Sequence, residues 1–486
     1  MTASIRTERQ RSVRARVLPA LGGAFSLCLI GCRAVGPDYH GPPPGAVVNA
    51  PAANAPFISG AGEAFSPEPA GSAWWRLYES AELDRLVSEA FAANTDLRLA
   101  QANLERSQAL LRGARAARQP MAEINFDPSY QQLSPEAYLH SGPVAPLGLY
   151  DTGISVSYEL DLFGRLRRGV EAASAEDEAV RAAYDLTKVI VAAETARAYA
   201  DACSAGEELV VTQHSLMLQT QSTDITQRLF LAGRAPTLDF TRSAGQVAQI
   251  KANIPILEAQ RTNALFRLAA LTGHPPAEYP KSIESCASAP RLLRPIPIGD
   301  GTAMLRRRPD IREAERELAA ATARVGIATA DLYPRVTLGV TAGSTGGVTD
   351  FLTTPTNRYG IGLQLHWQAN RNLVRARIAE ASAEGKLALA RFDGVVLTAL
   401  RETESALTSY GRELQRDDDL DTARARAAEA EQQAKRLYVG GKIDFLPFLD
   451  AQRSLAAADA AVAASHAQIA ADQVAIFLAL GGGWES

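Results

Sequence analysis

Aromatic side chains are scarce in this chain, 6% of its 486 residues, and neither sign of charge dominates: 50 Lys and Arg stand against 54 Asp and Glu, a formal net charge of −4. So small an imbalance offers no basic patch for a phosphate backbone, and no nucleic-acid partner is expected. The six histidines are scattered without metal-ligand spacing, so no metal is expected. The nearest thing to a phosphate loop, Gly343-Ser344-Thr345-Gly346-Gly347, follows a strand pattern but lacks the required lysine, and it reads as a hairpin loop. Asp417-Asp418-Asp419 reads as a solvated helix face rather than a cation site. With no catalytic constellation and no cofactor motif, an enzyme is not expected.

Alanine is abundant, and as the best helix former it tilts the composition towards long helices. The length exceeds one small domain, so several units or one elongated unit are expected. The first residues read as a processing signal. Arg6, Arg9, Arg11, Arg14 and Arg16 precede a short apolar stretch from Val17 to Ile30, too short for a standard spanning helix of roughly 20 residues. It ends in Leu29-Ile30-Gly31-Cys32, which resembles the lipobox of bacterial lipoproteins. The resemblance implies cleavage after Gly31 and acylation of Cys32; the plain alternative is a secretory signal with an incidental cysteine. Arg33 rather than Asp follows, which favours the outer membrane. Cleavage removes five Arg and one Glu, taking the mature charge from −4 to −8. Cys203 and Cys286 remain. An oxidising periplasm permits a disulfide between them, but their spacing does not decide it.

The chain repeats itself. Asp96-Leu97-Arg98 opens a helical run ending at Pro120, and Asp310-Ile311-Arg312 opens one ending at Pro334, at an offset of 214. Ala173-Ser174-Ala175-Glu176 recurs as Ala381-Ser382-Ala383-Glu384, and Arg228-Leu229-Phe230 with Gly233 as Arg436-Leu437-Tyr438 with Gly441, both at 208. Leu271-Thr272-Gly273 matches Leu480-Gly481-Gly482 at 209. One large unit is duplicated, each copy ordered helix, strand, loop, strand, very long helix, tip, long helix.

The strands alternate with period two. Ile154, Val156, Tyr158, Leu160 and Leu162 interleave with Ser155, Ser157, Glu159 and Asp161; Val336, Leu338, Val340 and Ala342 with Thr337, Gly339 and Thr341; Ile361, Leu363, Leu365 and Trp367 with Gly362, Gln364, His366 and Gln368. Ile124, Phe126 and Tyr130 mark a weaker fourth. Such segments have the length and pattern of transmembrane β-strands, or of half-buried strands in a soluble sheet. Four strands cannot close a barrel and lipid tolerates no open edge, so the membrane reading demands oligomers. Three protomers give twelve strands, with Val156, Leu160 and Leu363 towards lipid and Ser155, Ser157, Thr337 and Gln364 towards the lumen. The helical pattern runs without proline from Arg165 to Ala232 and from Arg371 to Tyr438, about 100 Å each at 1.5 Å per residue. Return helices run from Thr237 to Leu271, where Pro255 predicts a kink, and from Asp444 to Leu480.

At this point the residues resemble the outer membrane factor family, the TolC-like channels, and within it the lipoprotein branch paired with resistance-nodulation-division pumps. The matching blocks are Val35-Gly36-Pro37-Asp38-Tyr39, Trp74-Trp75-Arg76-Leu77-Tyr78, Glu159-Leu160-Asp161-Leu162-Phe163-Gly164-Arg165, Arg307-Arg308-Pro309-Asp310-Ile311, Tyr333-Pro334, Leu449-Asp450-Ala451-Gln452-Arg453 and Leu480-Gly481-Gly482-Gly483-Trp484. The fold so implied is a mainly α, mixed α/β membrane protein: a trimeric twelve-stranded β-barrel continued by a long α-helical barrel. The expected division is a signal peptide 1–31, an anchor and equatorial segment 32–94, a first repeat 95–273 with hairpin 121–163, a link 274–306 and a second repeat 307–486 with hairpin 335–369. The resemblance puts Cys203 and Cys286 near an equatorial belt and so allows their disulfide. Two departures stand out. The second corner, Trp367-Gln368-Ala369-Asn370-Arg371-Asn372, lacks the family's Pro-Phe-Gly-Gly character. At the second tip Ile443 sits where some relatives carry an acid. Asp444 is then the candidate for a carboxylate ring at the periplasmic aperture, or simply a helix N-cap.

The implied function is a passive outer-membrane export duct for drugs or other small solutes. A homotrimer held in outer-membrane lipid would dock its tips near Gly233 and Gly441 on a periplasmic adaptor, and an inner-membrane transporter would supply the energy. Two alternatives remain: a channel for an ATP-driven protein secretion system, and a coiled-coil lipoprotein scaffold with no channel.

Overall fold

A computed structural model describes residues 34–132, 134–136, 141–143 and 145–482. Cys32 with the signal segment, part of the first hairpin loop, and Gly483-Trp484 lie outside the described residues. The elements in chain order are β1 (Phe65–Ser66), α1 (Ala81–Ala93), α2 (Thr95–Ala116), β2 (Met121–Gln131), β3 (Leu147–Leu160), α3 (Arg165–Leu231), α4 (Thr237–Leu271), β4 (Ile296–Pro297), α5 (Gly301–Arg307), α6 (Pro309–Ala330), β5 (Arg335–Gly347), β6 (Asn357–His366), α7 (Arg371–Val439) and α8 (Phe445–Ala479). They pack as two units. Of the described residues, one holds those within 34–41, 106–178 and 316–390, the other those within 42–105, 179–315 and 391–482.

The first unit is built on a four-stranded antiparallel sheet in the order β2-β3-β5-β6. Its register sets Val156 beside Val340 and Val340 beside Ile361, so the alternation of each strand adds to that of the next. At the corner after β3, Asp161 accepts hydrogen bonds from the Leu166 and Arg167 amides at 3.0 and 2.8 Å and so caps α3. The second corner, without its expected glycines, does the same with Asn370, which accepts from the Leu373 amide at 3.3 Å. Helix contacts here run through small residues: Ala175 packs on Ala319 and Ala320, with Tyr39 against them.

Two sequence expectations need correction. Gly343 to Gly347 is no loop but the end of β5. Gly343 pairs with Gly153, where a Cβ would stand 2.3 Å from the Thr152 carbonyl oxygen, so its glycine answers close strand approach rather than a turn. The chain reverses instead over 348–356, in two 3-10 turns. The repeat register at the C-terminal helix end is 208, not 209. Left-handed glycines close α4 at Gly273 (φ 77°) and α8 at Gly481 (φ 69°), and such a cap tolerates no Cβ without strain.

The second unit is helical, with only the two-residue parallel pair β1–β4 as sheet among the described residues. Its core joins Leu86, Ala198, Ala202, Cys203, Ala264, Leu265, Leu268 and Ile283. Trp74 stacks on Phe477 at 4.6 Å. Both return helices end on a side chain that donates to their last carbonyls. Asn94 Nδ2 reaches the Leu271 oxygen (3.1 Å), and Arg308 Nη1 reaches that of Ala479 (2.7 Å). The repeat keeps the contact and changes the residue. Pro255 removes one bond of the α4 ladder without ending the helix.

Candidate functional site: the sheet faces and the helix tips

Rows across the sheet sort by chemistry. One face carries Ile124–Ile154–Ala342–Tyr359, then Ala122–Val156–Val340–Ile361, then Tyr158–Leu338–Leu363, then Leu160–Val336–Leu365. The other carries Glu123–Ser155–Thr341–Gly360 and Glu159–Thr337–Gln364. The apolar face is uncovered: Ile124 is 78% exposed, Ile361 77% and Leu363 67%. A continuous apolar surface of this kind is not left to water. Aromatic residues bracket it, with Phe126, Phe351 and Tyr359 at one end, and Trp367 with the stacked pair Phe163–Tyr333 at the other. From Tyr359 to Trp367 is about 27 Å along a strand, or roughly 20 Å across a bilayer at the usual tilt. That approaches the height of about 25 Å of a lipid-facing band between two aromatic girdles.

The helix tips are built twice from one plan. After α3 the Gly233 amide donates to the Phe230 oxygen (2.9 Å) and that of Arg234 to Leu229 (2.8 Å). After α7, Gly441 donates to Tyr438 (3.0 Å) and Lys442 to Leu437 (2.9 Å). This double bond needs a left-handed residue, and Gly233 (φ 67°) and Gly441 (φ 68°) supply it. A ring pair then clasps each helix pair: Phe230 on Phe240 at 6.2 Å, and Tyr438 on Phe448 at 5.2 Å, again 208 apart. Leu231, Leu437 and Val439 stay exposed beside them. Asp444 occupies the N-cap position of α8, yet its carboxylate accepts no hydrogen bond from that helix.

The N-terminal strap is clamped where strand turns to helix. The Val35 amide donates to the Phe163 carbonyl oxygen at 3.1 Å. Arg168, almost wholly buried, donates to the Val35 and Gly36 carbonyls and pairs with Asp38 and Glu171. Sequence reading missed Arg168, because a single arginine in a charged helix start carries no local signal of what it will hold.

In the second unit Cys203 and Cys286 are joined by a disulfide with Cα atoms 4.9 Å apart. It ties the link after α4 to α3. Close by lie Glu207, whose carboxylate meets His466 Nδ1 at 2.6 Å, and Asp417, which is buried rather than on the solvated face expected and whose Oδ1 makes no hydrogen bond but lies 3.7 Å from His466 Nε2. Burial raises the pKa of Asp417, Asp472 and Glu208. A carboxyl whose folded pKa is raised stabilises the fold when protonated. Its contribution is complete below its unfolded value, near 4, and is lost as pH rises through the folded value. Asp472→Asn, which keeps an acceptor for Gln468, should therefore raise the thermal midpoint at pH 7.5 and gain nothing at pH 4. Equal gains at both would sink this account of Asp472.

The profile of the outer membrane efflux protein family matches residues 86–274 and 302–482. This chain belongs to that family. The match spans well over half the chain and falls in two segments of similar length. Among relatives, the pyoverdine export outer membrane protein OpmQ of Pseudomonas putida is 31% identical over 85% of this chain and 88% of its own. The toluene efflux pump outer membrane protein TtgI, also of Pseudomonas putida, is 29% identical over 95% and 97%. Among solved structures, the outer-membrane channel OprN is 34% identical, with a TM-score of 0.86 over 93% of this chain and 99% of its own. The outer membrane efflux protein described here is thus an outer-membrane channel component of an efflux system, extending into the periplasm. Its fold is that of the family's trimeric channels, mainly helical with two internal repeats and one four-stranded antiparallel sheet per protomer. Family members are channels rather than enzymes and work with periplasmic adaptors and inner-membrane pumps.

Proposed function

We propose that three copies of this chain form a passive duct for small solutes, that its own residues do no chemistry, and that a pump acting through an adaptor drives the flow. The observation that carries this reading is the sheet. Among the described residues β2 and β6 are each paired on one edge only, while the apolar face is uncovered; lipid accepts that face but not those edges. Three copies pair edge to edge and close twelve strands. Between its charged residues this wall is Ser, Thr, Gln and Gly, which select no one compound, and that fits relatives named for two different exports, pyoverdine and toluene.

Acylated Cys32 would anchor each protomer beside this barrel. Cys32 is three positions before Val35, at most about 10 Å of extended chain, and Val35 is bonded to the corner that follows β3. The tips at Gly233 and Gly441, with the exposed Leu231, Leu437 and Val439, suit an adaptor's apolar contacts. Asp444, exposed and not used to cap its helix, is the candidate carboxylate of the aperture.

The test is oligomer mass and single-channel conductance of the mature, detergent-purified protein in planar bilayers. We expect a trimer that inserts and conducts in small, rare openings. Asp444→Ala should make them more frequent. A monomer that never inserts overturns the reading. In cells, Leu437→Asp with Val439→Asp should abolish efflux while trimers persist; full efflux by that variant would remove these two residues from the docking surface.

A further inference from the structure

On the polar face of the sheet, one end holds a cluster that the alternation pattern does not require. Arg358, on β6, reaches across β5 to β3. Its Nε donates to Thr345 Oγ1 at 2.8 Å and its Nη2 to Asp151. Asp151 also accepts from Thr345 Oγ1 at 3.2 Å and from Asn125 Nδ2 at 3.1 Å, and Asn125 donates to Asp127 at 3.2 Å. One guanidinium is thus pinned across three strands. Gly153 and Gly343 are register partners beside it, and even a Cβ on Gly153 would only come into ordinary contact with Arg358 Nη2, at 3.4 Å.

The charges on this face do not balance here. Glu159 is matched by Arg165 and Arg335 by Asp331, at 2.7 and 2.5 Å. Among the described residues of the strands that leaves Glu123, Asp127 and Asp151 against Arg358 alone. We propose that Arg358 is a permeation-determining residue, a cation strapped to the lumen wall that keeps the bore clear and sets the surplus of negative charge near one end of the barrel. Freed from Asp151, it would extend from the wall, and a trimer would place three guanidinium groups in the bore. Removed, it would leave the carboxylates unopposed and make that stretch of lumen favour cations more strongly.

This rests on the polar face being the lumen, and the experiment separates the two claims. Thr341 lies on the same face two residues from Gly343, about 7 Å along the strand and within a Debye length of Arg358. In Thr341→Cys protein in intact cells, labelling rates are measured with a cationic and an anionic methanethiosulfonate of similar size. The two other cysteines of the described residues are bonded to each other. Labelling samples the local field whether or not the tips are open. In the otherwise unaltered protein the cationic reagent should react faster. Added Arg358→Ala should raise the cationic-to-anionic ratio by about threefold or more, and added Asp151→Asn should lower it. Asn keeps an oxygen for Asn125, so Asp151→Asn tests charge rather than folding. Rapid labelling with one ratio in all three proteins would overturn the role of Arg358. No labelling of Thr341→Cys, with labelling of Val340→Cys by a lipid-soluble maleimide to show folded protein, would overturn the lumen assignment itself, and the proposal with it.

Discussion

Leu363→Arg should strip the outer membrane of assembled protein, whereas the same change one residue on, Gln364→Arg, should leave trimers in place. Leu363 lies midway between Tyr359 and Trp367 on the apolar face, in one row with Tyr158 and Leu338. An arginine at the midplane of a barrel's lipid face costs about 2–4 kcal/mol. Three protomers multiply that to about 6–12 kcal/mol per trimer, comparable with the whole stability of many folded domains. Gln364 points the other way, beside Thr337, where a guanidinium stays in water. Trimer bands in membrane fractions run on unheated gels decide the matter. If both variants assemble equally, the apolar face does not meet lipid. If both fail, the strand is intolerant of bulk on either side and the face assignment is unsupported.

Loss of the Cys203–Cys286 bond should produce the second large effect. The bond closes a loop with a sequence separation of 83. On the chain-entropy account a loop of that size restrains the unfolded state by about 4.5 kcal/mol, a ceiling that denatured-state structure lowers. The paired change Cys203→Ala with Cys286→Ala should lower the thermal midpoint by several degrees, and reductant should bring the unaltered protein to the same value. Conductance, a property of barrel and tips, should be unchanged. A melting point indifferent to reductant would show that packing around Leu86, Leu268 and Ile283 holds the link without help.

Much of this was legible in the chain as written. Period-two alternation is a local property, so Val156, Leu160 and Leu363 fall on one face in the sequence and in the structure alike. The duplicated tips were legible for the same reason. A left-handed helix end asks for glycine, and Gly233 and Gly441 stand 208 apart with their aromatic neighbours. Where glycine had two uses, the local signal misled. At Gly343 it marks close strand approach rather than a turn, because only the partner strand supplies the Thr152 oxygen that excludes a Cβ.

By itself, then, the sequence determined which faces are apolar, where the helices turn and that the unit is doubled, since each follows from spacing along a few residues. Only the tertiary structure decided which distant groups meet. It brought Cys203 to Cys286, set Arg168 over the strap at Val35, and laid Arg358 across Thr345 and Asp151. Such pairings join residues scores of positions apart, and no local propensity encodes them. They follow from the register of strands and the packing of helices, which exist only once the chain has folded.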